Sequence, residues 1–175
     1  EISRQGNEKI LSLHDSDPFD YAKAERMFPV SGTVIAEFAI TPKQADNGHL
    51  DIEITDEKGT ACLRLSLDST GTVYTKAGYR NRSIGTYKAG EKLTVKIELN
   101  AATRFYTVTL NNGKPVNNIC FAPIAKAQRI VFRTGGVRRF PDADTPTYQD
   151  YDLPGADSRL KEAIYQIHYL KTQTF

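Results

Sequence analysis

The amino-acid sequence predicts an all-β sandwich of two antiparallel sheets. The first observation is alternation. Side chains of a strand fall on opposite faces with a period of two. Along His49–Ile54, Leu50, Ile52 and Ile54 share one face, and His49, Asp51 and Glu53 share the other. Along Ala61–Leu67, Leu63, Leu65 and Leu67 oppose Arg64 and Ser66. The second observation is recurrence. The same pattern returns at Thr33–Ile40, Lys92–Leu99, Arg104–Asn111, Gln128–Thr134 and Ala163–Leu170. Seven or more short strands divided by turn residues are the mark of a sandwich. The third observation is size: 175 residues fit one domain spanning 1–175, and 39% hydrophobic content is enough to fill its core.

Taken in order, Glu8–Leu13 reads as a first strand, and the acidic His14–Tyr21 as a loop. Ala22–Phe28 reads as a helical turn or an extended arm before Pro29. Thr33–Ile40 is a strand closed by Pro42, which lacks the N–H a ladder needs. Lys43–Gly48 carries Asn-Gly turn chemistry. His49–Thr55 and Thr60–Asp68, joined by Asp56–Gly59, form a hairpin. Ser69–Gly78 adds a short strand. Arg80 and Arg82 fall in a loop, as do Arg133, Arg138 and Arg139 at the end of the strand Gln128–Thr134. Gly135–Arg159 has no period; a loop of that length is commonly functional or a cover over one edge. The closing strand at Ile164–Leu170 is expected to pair with the first, as in jelly rolls.

Composition bounds the function. A formal net charge of +2 is too small to make nucleic acid the main partner. No run of about 18 apolar residues occurs, so no helical membrane span is expected. Cys62 and Cys120 sit in apolar strand-like surroundings and read as buried thiols, with a disulfide left open. Neither has a neighbouring His to activate it. The start at Glu1 without Met fits a processed protein or one piece of a larger polypeptide.

The polar positions offer one candidate binding face: Glu37, Asp51, Glu53, Arg64, Arg133 and His168, if their strands lie side by side. Carboxylates and arginines hydrogen-bond sugar hydroxyls, and guanidinium groups match carboxylates bidentately. Tyr74, Tyr79, Tyr87, Tyr106, Tyr165 and Tyr169 are candidate platforms for sugar rings. The plainer reading is a solvated outer face, on which Arg64 pairs across strands with Asp51 or Glu53. Arg26, between apolar neighbours, is expected to pair with a loop acid. Asp15, Asp17 and Asp20 could ligate a structural calcium ion, or cap backbone N–H groups as Asx turns. The scattered His14, His49 and His168 lack zinc-ligand spacing, and no other cofactor is expected.

The order of these elements, above all Gly90–Val116, resembles the concanavalin A-like (LamG-type) jelly-roll domains. The chain is also similar to accessory β-sandwich modules of polysaccharide-degrading enzymes of gut Bacteroidota. That resemblance implies a secreted or periplasmic setting, and a glycan or a partner catalytic domain as the partner. Two enzyme patterns are nearly present. Family 16 glycoside hydrolases carry E-x-D-x-E on a strand. Here Asp51 and Glu53 match, but His49 stands where the nucleophilic carboxylate belongs, which argues against glycosidase activity. Family 7 alginate lyases carry R-T-E-x-R, Q-I-H and Y-F-K-A-G-x-Y. Phe132–Arg138, Gln166–His168 and Val73–Tyr79 are similar but stand in a different order. A lyase requires Arg133, His168 and Tyr79 to converge, for charge neutralisation and proton transfer. The leading expectation is a non-catalytic glycan-binding or structural module. The alternatives are a lyase of uronate-containing glycans, or an interaction domain docking through Gly135–Arg159.

Overall fold

The computed structural model describes residues 1–6, 8–18, 20–77, 80–135 and 158–175. Within them lie thirteen strands: β1 (Ile2–Gln5), β2 (Glu8–Asp15), β3 (Lys23–Ser31), β4 (Thr33–Pro42), β5 (Leu50–Thr55), β6 (Ala61–Leu67), β7 (Thr72–Ala77), β8 (Arg80–Thr86), β9 (Leu93–Asn100), β10 (Phe105–Leu110), β11 (Val116–Ile119), β12 (Ala127–Thr134) and β13 (Ala163–Thr174). They form a seven-stranded sheet in the order β1-β2-β13-β4-β9-β10-β11, and a six-stranded sheet in the order β3-β12-β5-β6-β7-β8. Every pairing in them is antiparallel. The last strand lies beside the early strand β2, with Tyr165 opposite Leu13, as the jelly-roll reading expects.

The alternation read from the sequence is the alternation of burial. Leu50, Ile52 and Ile54 of β5 and Leu63, Leu65 and Leu67 of β6 are fully buried. They face Val34, Ala36, Phe38 and Ile40 of β4 and Val95, Ile97 and Leu99 of β9 in one continuous core. Phe38 and Phe132 meet edge to face across the sandwich, ring centres 5.2 Å apart, the geometry that a ring quadrupole favours. Burying each such side chain contributes about 1.5–3 kcal/mol.

The edges depart from expectation. Of the stretch Ala22–Phe28, read as a helical turn or an extended arm, Lys23–Phe28 is extended and belongs to the strand β3, with one ladder partner, β12. Arg80 and Arg82 stand on the edge strand β8 rather than in a loop. β1 and β11 are further edge strands that the alternation does not reveal. Among the described residues Arg26 pairs with no loop acid; its Nη1 donates to the Leu170 carbonyl at 2.6 Å, joining β3 to the other sheet. Tyr87, Tyr106 and Tyr165 are core residues, 6%, 1% and 0% exposed, and cannot serve as platforms. Both cysteines are reduced and buried.

One bulge changes the reading of β13. Its register against β4 slips between Ile167 and Tyr169, so His168 is an extra residue. Beyond it the parity inverts: Leu170 stands opposite the buried Phe38, and Tyr169 is 41% exposed.

Candidate functional site

The outer face of the six-stranded sheet carries a network built on three neighbouring strands, β12, β5 and β6. Asp51 alternates with the core residues Leu50 and Ile52, so its carboxylate points outward yet is only 4% exposed. The register sets Asp51 between Arg133 and Ser66, and Glu53 opposite Arg64. Asp51 Oδ1 accepts hydrogen bonds from His49 Nε2 at 2.8 Å and Ser66 Oγ at 2.6 Å. Its Oδ2 accepts from Arg133 Nη2 at 3.1 Å and lies 3.8 Å from Arg64 Nε. Arg64 Nε donates to Glu53 Oε1 at 2.6 Å, the cross-strand pair anticipated above.

Burial alone would raise the Asp51 pKa. The hydrogen bonds from His49 and Ser66, with the charges of His49 and Arg64, instead hold it down to about 2. The carboxylates thus lie underneath, with side chains 6% (Asp51) and 13% (Glu53) exposed, while the side chains of Arg64 and Arg133 are 31% and 32% exposed. The solvent-facing layer is made of donors.

Aromatic rings flank those donors. Tyr74 on β7 has its ring centre 6.4 Å from that of His49. Burial, with the charges of Asp51 and Asp68, pushes its phenol pKa up. Phe121 lies under Lys76 Nζ, 4.7 Å away, and near the Arg64 guanidinium at 5.8 Å. Tyr21 lies 5.8 Å from the Arg133 guanidinium. Such a face presents guanidinium donors and ring surfaces together, the groups that bind hydroxyl- and carboxylate-bearing rings.

Four of the six expected binding residues share this face: Asp51, Glu53, Arg64 and Arg133. Glu37 and His168 do not, because β4 and β13 belong to the seven-stranded sheet. Glu37 stands between Lys96 and Lys171 in the register there. His168 Nε2 bonds Thr41 Oγ1 at 2.8 Å and its Nδ1 lies 3.6 Å from Glu8. Burial, then the nearby Lys92, lower the His168 pKa despite Glu8. Arg133 and His168 therefore stand on different sheets and do not meet in one cleft; Tyr79, the third member expected of a lyase, lies outside the described residues. So do Arg138, Arg139 and most of Gly135–Arg159. Ser66 was legible as the next outward position after Arg64. Tyr21 and Phe121 sit outside the strands, where no period marks them.

Asp15 Oδ1 accepts the Asp17 N–H at 3.1 Å, and Asp17 Oδ1 accepts the Asp20 N–H at 2.8 Å, as Asx caps do. Among the described residues no group of three or more His, Cys, Asp or Glu side chains is placed to hold a metal ion.

Two antiparallel sheets with the last strand laid beside an early one define a concanavalin A-like jelly-roll sandwich. The family model described as "Sialidase-like, CBM domain" matches residues 2–149, and the chain belongs to that family. A solved structure of a sialidase is 39% identical, with a TM-score of 0.89. That alignment covers 99% of this chain and 16% of the sialidase, so the chain spans about one sixth of that protein's length. Two further structures share the fold alone. An alginate lyase of polysaccharide lyase family 7 is 12% identical, with TM-score 0.60 over 99% of this chain and 81% of its own. A sheep galectin-11 is 13% identical, with TM-score 0.52 over 86% of this chain and 96% of its own. No curated protein matches the chain.

Proposed function

We propose that this chain is a non-catalytic glycan-binding module of a larger sialidase-like protein, and that it binds sugars on the outer face of the six-stranded sheet. The observation that carries the reading is the layering of that face: carboxylates buried beneath, the partly exposed Arg64 and Arg133 side chains above them, and Tyr74, Phe121 and Tyr21 around them. Donors at the surface favour ligands rich in acceptors, so the preferred sugars carry a carboxylate, either a sialic or a uronic acid. Membership of a carbohydrate-binding-module family supports the same reading, as does the sialidase of which a similar domain forms a part. The module would bring a catalytic domain to its polysaccharide in a secreted or periplasmic setting. A lyase role is disfavoured by the separation of Arg133 and His168 onto two sheets.

Affinity electrophoresis through gels holding acidic or neutral glycans tests this. The reading expects retardation by an acidic glycan that weakens with salt and is lost in Arg64→Ala and Tyr74→Ala variants. Equal mobility in every gel would refute it.

A further inference from the structure

Cys62 and Cys120 are the two cysteines of the chain, so any pairing within it must join them. Cys62 stands on β6 of the six-stranded sheet, and Cys120 follows directly after β11 of the seven-stranded sheet. Cys62 occupies the register slip of β6 against β5, where Thr55 stands opposite Ala61 and Ile54 opposite Leu63. A bulged residue is free of the ladder and can be turned toward a neighbouring element. The Cys62 carbonyl accepts the Phe121 N–H at 3.0 Å, and the Cys120 N–H donates to the Arg104 carbonyl at 2.8 Å. The first of these bonds draws together the main chain on either side of the two cysteines. A disulfide needs that approach, since its Cα atoms stand about 4.4–6.8 Å apart. Both residues are buried, 0% and 5% exposed, in one core cluster, and the Cys62 thiol donates to the Ile54 carbonyl at 3.5 Å. Two buried cysteines drawn together by that main-chain bond, with no third cysteine to compete, are placed for a covalent bond.

We propose that Cys62 and Cys120 close into a disulfide that staples the two sheets when the folded chain meets a thiol–disulfide oxidant. The Cys120 thiolate, the more exposed of the two, attacks one sulfur of a small-molecule disulfide such as oxidised glutathione. That step forms a mixed disulfide and releases one glutathione thiolate. The Cys62 sulfur then attacks Cys120 Sγ and displaces the second glutathione. The protein gives up two electrons and two protons, and the oxidant leaves as two thiols. Access comes through opening of β11, a four-residue edge strand immediately before Cys120. Interaction with Cys62, together with the nearby Arg104, holds the Cys120 pKa down against burial. The bond closes a long loop that includes β7, β8, β9, β10 and β11, and long loops are those whose closure stabilises most.

The test uses the folded chain incubated with oxidised glutathione, then unfolded in denaturant for thiol titration and intact mass. The expected result is no free thiol, a mass lower by about two hydrogens, and a melting temperature about 5–15 °C above that of the dithiothreitol-treated protein. A Cys120→Ser variant should melt at the same temperature with and without reductant. Two thiols recovered, or a stable glutathione adduct with no closure, would overturn the proposal.

Discussion

Replacing Asp51 by Asn tests the network beneath the candidate binding face. The carboxylate gathers His49, Ser66 and Arg133 at 2.6–3.1 Å. Its folded pKa of about 2, against an ordinary 3.8, corresponds to about 2–3 kcal/mol at about 1.4 kcal/mol per pKa unit. The amide has no charge, and one of its ends turns a donor toward donors. Asp51→Asn should therefore lose about 2–3 kcal/mol at pH 7. For a chain of this size that lowers the melting temperature by about 5–10 °C. The sign of the pH dependence follows from the depressed pKa. The contribution is whole above the ordinary carboxyl value of 3.8 and is lost as pH falls through about 2. Urea melts at pH 7 and pH 3 provide the assay: the gap between parent and variant should narrow to about half at pH 3. A gap below about 0.5 kcal/mol at pH 7, or one that does not shrink with acid, would show that Asp51 is merely solvated.

Two further outcomes follow from the same geometry. Gly48→Ala should cost about 2–4 kcal/mol in denaturant melts, because φ is +78° and a Cβ there would collide with Ala163 Cβ; a neutral variant would show that this turn gives way freely. His168, held neutral by burial and Lys92, contributes stability that is whole above its ordinary pKa of about 6.5 and is lost as pH falls through the lower folded value. Its ring should titrate below free histidine by NMR, and a midpoint above that of free histidine would contradict the placement.

The centre of the fold was legible and its margins were not. β5, β6, β9 and β10 each bury one face between neighbours, so their sequences must alternate. β3, β8 and β11 are pinned on one side only. In β8 no residue is buried, and in β3 only Phe28 and Ser31 are, so nothing forces a period. The site was half legible for a topological reason. Alternation says that Glu37 and Asp51 both point outward, but not that the chain changes sheet between them through residues 43–49. The His168 bulge inverts parity within the strand, which no local pattern announces.

The most direct test of the account is a backbone NMR titration with a sialylated and a uronate oligosaccharide, run on the parent and on an Arg64→Ala, Arg133→Ala double variant. Each lost charge-assisted bond is worth about 1.5–3 kcal/mol, so affinity should fall at least about tenfold in the double variant. Shifts in the parent should concentrate on His49–Glu53, Arg64–Ser66, Tyr74 and Phe121. Shifts centred on the seven-stranded sheet, or binding indifferent to the two arginines, would contradict the assignment of the six-stranded face.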